Sequence, residues 1–215
     1  MIKRKLFIGF AALASLNLTA CSVSTILPEP APANNVYRLT SSTDSVAPSA
    51  AVPSRNGYTV RIDRPSAAKA LQGNDLLVVQ DQNQLISIAR SEWADSLPTL
   101  IQRSFLSHID ARPDFTGLLP TSGARSKYRV HITVRNFEAW FDQGNKTEPL
   151  IVADYLVTLS DAGTRQLIGT QAFRVEERAL SIRVSDIVAT KSAANNQLLS
   201  EISDWMAQSL SRTSG

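Results

Sequence analysis

Three stretches in the C-terminal half of the chain alternate apolar and polar residues, and this pattern constrains the fold more than any other feature. Tyr128, Val130, Ile132 and Val134 alternate with Arg129, His131, Thr133 and Arg135. Ile151 to Leu159 follows, with Tyr155, Val157 and Leu159 on one side, and Gln166 to Glu176 completes the set. Successive side chains of a strand point to opposite faces, so the alternation specifies a sheet with one dry and one wet face. The phase changes at Asn136, because Phe137 follows Val134 by three positions; one extra residue in a β-bulge produces that shift. Asp161-Ala162-Gly163 supplies a tight turn between the second and third stretches.

A dry sheet face needs a cover. Trp93, Leu97, Leu100, Ile101, Phe105 and Ile109 recur at helical spacing, with Ser91 as an N-cap and Pro113 beyond the end. Pro98 fits a first helical turn only if the helix starts later than Ser91. A second helix opens near Ser185, with Asp186 placed favourably at its N-terminus and a stripe of Val188, Leu198, Ile202, Trp205 and Leu210. Both tryptophans are expected in the core. The fold class is therefore α+β: a mainly antiparallel sheet with two helices packed on one face. Upstream, Val36 to Leu39 and Tyr58 to Ile62 read as strands, the latter ended by Pro65. Ser66 to Leu71 reads as one helical turn closed by Gly73. Leu76–Val79 and Leu85–Ile88 form a hairpin around Asp81–Gln84. Phe115 to Leu119 reads as a short strand and Ser122 to Lys127 as a turn.

The N-terminus is organised differently. Lys3, Arg4 and Lys5 precede the apolar run Leu6 to Leu16, and Leu18-Thr19-Ala20-Cys21 ends it with the chain's sole cysteine. A charged start, an apolar middle and a small-residue end read as a secretory signal, and the run is short for a membrane span of about 20 residues. The four-residue stretch is similar to a bacterial lipobox, in which the cysteine thiol is acylated and the chain is cut before it. Bulky Leu18 disfavours ordinary signal peptidase, which prefers small residues three and one positions before the cut. Ser22 in place of Asp points to outer-membrane sorting. The expected divisions are a signal at 1–20, a lipidated Cys21 with a Pro-rich tether at 21–35, and a single domain at 36–212. Thr40 to Asn56, rich in Ser, Ala and Pro, reads as a loop.

Charge and chemistry narrow the function. The formal charge of +3 is carried by Lys3, Arg4 and Lys5, so the mature chain is neutral. That argues against a nucleic-acid footprint, which needs clustered surplus charge. Two histidines, His108 and His131, are far apart in sequence, and three or four matched ligands are needed for a metal site. Gly123–Lys127 lacks the spacing of a phosphate loop, and Glu176 and Glu177 point to opposite faces. No catalytic residue, cofactor or metal is expected. Trp140 and Phe141, at a strand end before Gly144, are candidates for a partner-binding anchor. Arg125, Lys127, Arg129 and Arg135 form a local basic cluster that would suit headgroups or an acidic partner.

Several of these pieces together resemble one family. They are the lipobox, Tyr37-Arg38-Leu39, Ile62-Asp63-Arg64-Pro65, Glu92-Trp93-Ala94-Asp95-Ser96-Leu97, the strand through Phe137-Glu138, and the terminal helix with Trp205. In that order and spacing the chain resembles the ABC-type transport auxiliary lipoproteins, a PqiC/YmbA-like group. The resemblance implies a non-enzymatic partner of an MCE-domain protein and its transporter components. It implies an anchor in the outer membrane facing the periplasm, a role in lipid movement, and a lipid (palmitate-type) modification of Cys21. It also admits a homo-oligomeric ring. A lipobox, a Pro-rich tether and a small α+β domain equally describe a lipoprotein activator of a peptidoglycan synthase, which is the second reading.

Overall fold

A computed structural model describes residues 33–41, 57–81 and 83–213 of the chain. The signal, Cys21, most of the tether and nearly all of the Ser/Ala/Pro-rich loop lie outside the described residues. In chain order the elements are β1 (Asn35–Tyr37), β2 (Tyr58–Ile62), β3 (Ser66–Ala67), β4 (Asp75–Gln80), β5 (Gln84–Trp93) and α1 (Leu97–Asp110). Then come β6 (Phe115–Leu118), β7 (Tyr128–Trp140), β8 (Leu150–Asp161), β9 (Leu167–Arg178) and α2 (Val184–Thr213).

The sheet is built around β7, which is 13 residues long. It pairs with β8, and β8 with β9, as long antiparallel ladders, as read from the periodicity. Its other edge is shared in series by three short strands, all parallel to it. β2 lies beside Tyr128–Val130, β3 beside Thr133–Val134, and β4 beside Ala139–Trp140. β6 adds to β2, and β5 with β1 adds to β4. The sheet is thus mixed rather than mainly antiparallel: five of the eight pairings are parallel. The α+β class stands. Parallel pairing needs long crossovers, and local alternation says nothing about which strand a segment will join.

The bulge sits at Arg135, between the pairs Val134↔Tyr155 and Asn136↔Asp154. Before it Val130, Ile132 and Val134 are buried; after it Phe137 and Ala139 are. The extra residue keeps both halves of β7 presenting apolar side chains to the helices.

The first helix starts later than Trp93. β5 runs on through Ser91 to Trp93, which pairs with Tyr37. α1 begins at Leu97 with Ser96 at the N-cap position and Pro98 in the first turn, where a missing N–H costs nothing. Trp93 and Leu97 stand four apart by coincidence of a strand and a helix meeting. Ser66 to Leu71 also differs: Ser66–Ala67 is strand, paired with Thr133–Val134, and the Ser66 hydroxyl contacts His131 Nε2 at 3.0 Å and Thr133 Oγ1 at 3.1 Å across the pair. The helical turn follows at Lys69–Gln72 before Gly73.

α1 and the 30-residue α2 cover one face. Trp93, Phe137 and Tyr155 form an aromatic row beneath them, with ring centroids 6.3 Å apart at each step. Trp93 is core as expected. Trp205 is half-buried at the rim, edge-on to Phe173 at 5.8 Å and packed on Gly169, where a Cβ would lie 3.1 Å from its ring. A buried polar chain ties the layers together: the Tyr155 hydroxyl donates to Asn195 Oδ1 at 3.0 Å, and the Asn195 amide donates to Ser104 Oγ at 3.0 Å. It joins β8, α2 and α1 through buried groups.

Tyr155→Phe removes one donor and leaves Asn195 Oδ1 unsatisfied in an apolar interior, which costs about 1–3 kcal/mol. Urea unfolding should show the midpoint lowered with an unchanged slope; an unaltered midpoint would mean the hydroxyl holds nothing together.

Candidate functional site

The sequence candidates Trp140 and Phe141 lie where β7 ends. Trp140 pairs with Leu150 and Val79, and the Phe141 N–H donates to Val79 O at 2.9 Å. The chain then turns through Gly144 at φ +95°, a conformation suited to glycine. Arg178 fixes the turn from β9, donating to both carboxylate oxygens of Asp142, at 2.6 and 3.0 Å, and to Glu148 O at 2.9 Å. Its guanidinium hydrogen bonds hold the Asp142 carboxyl below the ordinary carboxylate range. Trp140 and Phe141, both half-buried, line an open depression of about 340 Å³ with Val79, Gln80 and the hairpin tip at Asp81 and Asn83.

The basic candidates do not assemble with them. Arg125 and Lys127 are exposed at the opposite end of β7, and the Lys127 ammonium sits over the Tyr128 ring at 5.2 Å. Arg129 is paired with Asp63, which Arg61 also approaches at 3.3 Å. Arg135, on the bulge, faces Asp154 at 4.0 Å, and Arg174 joins Asp154 at 3.2 Å and Glu176 at 2.6 Å. The wet face of the sheet is therefore a set of ion pairs in which two of the four cations are neutralised by neighbours.

The histidines lie apart in the fold. His108 is half-buried on α1, its pKa lowered by burial and by Arg112, and His131 is held by Ser66 on β7. Among the described residues no three His, Cys, Asp or Glu side chains come together as a metal site.

The residue that sequence reading passed over is Lys191. It is 1% exposed. Between Val134 and Ala139 no strand pairs with the β2–β4 edge of β7, and the Lys191 ammonium fills that gap. It donates to Phe137 O at 2.9 Å and Leu77 O at 3.2 Å and lies 5.3 Å from the Phe137 ring centroid. Glu138, also buried, turns its carboxylate back onto the Phe137 N–H at 2.9 Å. Burial lowers the Lys191 pKa from 10.5 to about 7, with Glu138 opposing the shift, and burial raises the Glu138 carboxyl. A signal for Lys191 did exist. Val188, Lys191, Asn195, Leu198 and Ile202 fall at helical spacing, so two polar residues stood inside the apolar stripe.

The shifted amine sets a pH dependence. Between about pH 7 and 10.5 the unfolded chain holds a proton on this amine that the folded chain does not. Stability therefore rises with pH across that window, by at most ~1.4 kcal/mol per unit. Below pH 7 the full cost of burying the charge is present. Urea titrations at several pH values should show that rise in the native protein and its loss in Lys191→Met; a variant that keeps the slope would place the titrating group elsewhere.

Comparison with known proteins bears on the whole of this architecture. A family model described as the ABC-type transport auxiliary lipoprotein component matches residues 37–203. A solved Xanthomonas campestris protein of the family model DUF330 superposes with a TM-score of 0.72 at 19% identity, covering 84% of this chain and 98% of its own. An uncharacterized protein superposes with a TM-score of 0.63 at 14% identity, covering 81% of this chain and 99% of its own. These two share the fold. No curated protein matches the chain.

Proposed function

The chain belongs to the family of ABC-type transport auxiliary lipoprotein components, and from that premise we propose the particular role it plays. As a member it is a membrane-anchored lipoprotein with a transporter for a partner. On our reading, acyl chains on Cys21 hold it in the outer membrane, and the domain faces the periplasm. There it serves as the non-enzymatic auxiliary subunit of an MCE-type lipid transport system.

The observation that carries this reading is the extent of the family match. It runs from Tyr37 on β1 to Ser203 on α2, and so takes in every strand of the sheet, β1 at its last residue, and all but the last turns of α2. Similarity of that kind rests on an entire architecture and not on one motif. Ser22 after the lipobox supports outer-membrane sorting. The half-buried aromatic pair Trp140 and Phe141, in a depression open to solvent, supports docking there, since aromatic anchors in partly preformed pockets dominate protein contacts. The tethered domain then acts through where it is held and what it touches.

A photo-crosslinking residue at Phe141, in cells, should trap an MCE-domain protein, and mass spectrometry should find Cys21 acylated at a new N-terminus. Recovery of a peptidoglycan synthase with no MCE-domain protein would replace this reading with the other lipoprotein role, and a free thiol at Cys21 would remove the anchor.

A further inference from the structure

One surface is left over after the Trp140–Phe141 depression and the ion-paired face are assigned. The turn from β9 into α2 carries Leu180, 86% exposed, and Ile182, 49% exposed. Two large aliphatic side chains in water gain nothing for the fold. The turn is nonetheless firmly held. The Ala179 N–H donates to Pro149 O at 3.0 Å on one side of Leu180. On the other side the Ser181 hydroxyl donates to Asp186 Oδ2 at 2.5 Å and accepts from the Arg183 N–H at 3.0 Å. Ile182 also walls a shallow apolar groove of about 280 Å³, opposite Ile86, Ile88 and Phe141.

Two cations stand beside this surface. Arg183 follows Ile182, and Arg90 follows Ala89 of the groove; both are exposed, and neither has an ion-pair partner among the described residues. The exposed acids at the same end are Asp81, Asp142, Glu148 and Glu177, of which Asp142 is paired with Arg178. Apolar side chains beside unpaired guanidinium groups match acyl chains beneath anionic headgroups.

Chain direction favours the same occupant. β1 runs parallel to β5, with Asn35 against Ser91 and Tyr37 against Trp93. The start of β1 therefore faces back along β5 toward Ala89 and Ile88, which line the groove. Cys21 lies 14 residues before Asn35, a span of at most about 50 Å when fully extended. A span of that length permits contact between domain and bilayer, and the apolar turn selects which end makes it.

We propose that Leu180 and Ile182, flanked by Arg90 and Arg183, rest in the interfacial layer of the anionic bilayer to which the chain is anchored. This deepens the lipoprotein reading and depends on it. The test uses full-length acylated protein in vesicles of phosphatidylethanolamine and phosphatidylglycerol. Because acylation blocks Cys21, Leu180→Cys offers a single thiol for an environment-sensitive fluorophore. Thr121→Cys, exposed before the start of β7, is the control. The Leu180 probe should shift to the blue and lose most of its emission to nitroxide-labelled lipid, while the Thr121 probe is unaffected. Flotation of the same samples reports the anchor separately. Protein that floats with an unquenched Leu180 probe overturns the bilayer contact and leaves the anchor standing; protein that does not float overturns both. A blue shift without lipid quenching assigns the surface to a second copy of this chain and likewise overturns the contact.

Discussion

The ammonium of Lys191 holds shut the gap in the sheet between Val134 and Ala139 of β7. Strands β2, β3 and β4 must share a single edge of β7, and the chain between them turns away through Lys69–Gln72 before returning. The carbonyls of Phe137 and Leu77 are bonded to Lys191 at that opening. An unpaired carbonyl in an apolar layer costs free energy comparable to a lost hydrogen bond. A lysine from α2 satisfies both from the helix side, and the Phe137 ring and Glu138 share its charge. Desolvating an ammonium costs several kcal/mol, so the arrangement is a poor source of stability. Its value is positional. It fixes the height of α2 against the gap, and Asn195, four residues on, then meets Tyr155 and Ser104. The register of the long helix over the sheet follows from these two polar residues inside an apolar stripe.

How much of this was legible follows from how local each signal is. β7, β8 and β9 were readable because alternation is a property of neighbouring residues, and the bulge was readable because it breaks that property at one point. Arg135, and not Asn136, turned out to be the extra residue, a shift of one that periodicity alone does not resolve. The parallel pairings were not readable, because β2, β3 and β4 reach β7 across dozens of residues and carry no mark of their destination. Trp93 shows a second kind of failure. A buried strand end followed by a helix start reproduced the spacing of one continuous helix, and Pro98 was the residue that knew better. Of the candidate surface, Trp140 and Phe141 stand together at a strand end as read, whereas the basic cluster was a property of one strand's sequence. Asp63, just past β2, and Asp154, on β8, meet Arg129 and Arg135 and convert a run of cations into ion pairs.

The wet face and the apolar end then play different physical parts. Exposed ion pairs such as Arg174 with Glu176 contribute little to stability; on the broad face of the sheet they give Arg129, Arg135 and Arg174 carboxylate partners. The end formed by the β4–β5 hairpin tip, the turn after β7 and the turn into α2 concentrates the half-buried aromatics and the exposed aliphatics. Phe141 borders both the depression and the groove. On the proposed reading, a bilayer contact at Leu180 and a partner seated beside Trp140 would therefore be adjacent, and the same end of the domain would bring that partner to the membrane surface.

Such a contact needs the anchor to matter. Fully burying one leucine or isoleucine side chain is worth about 1.5–3 kcal/mol, and two of them cannot hold a soluble domain on a membrane against dilution. A domain already attached to that membrane faces a different balance. A short linker raises the effective concentration of the surface to roughly millimolar, so a contact of a few kcal/mol is enough to set which way the domain points. The rigidity of the turn is then the essential feature, since an ordered turn spends no conformational entropy on contact. Ser181, Asp186 and Pro149 are the residues that hold it ready, and none of them meets the bilayer through its own side chain in this account. On this proposal, placement by the lipid and orientation by the turn would be separate functions in the same chain, one at position 21 and the other some 160 residues later.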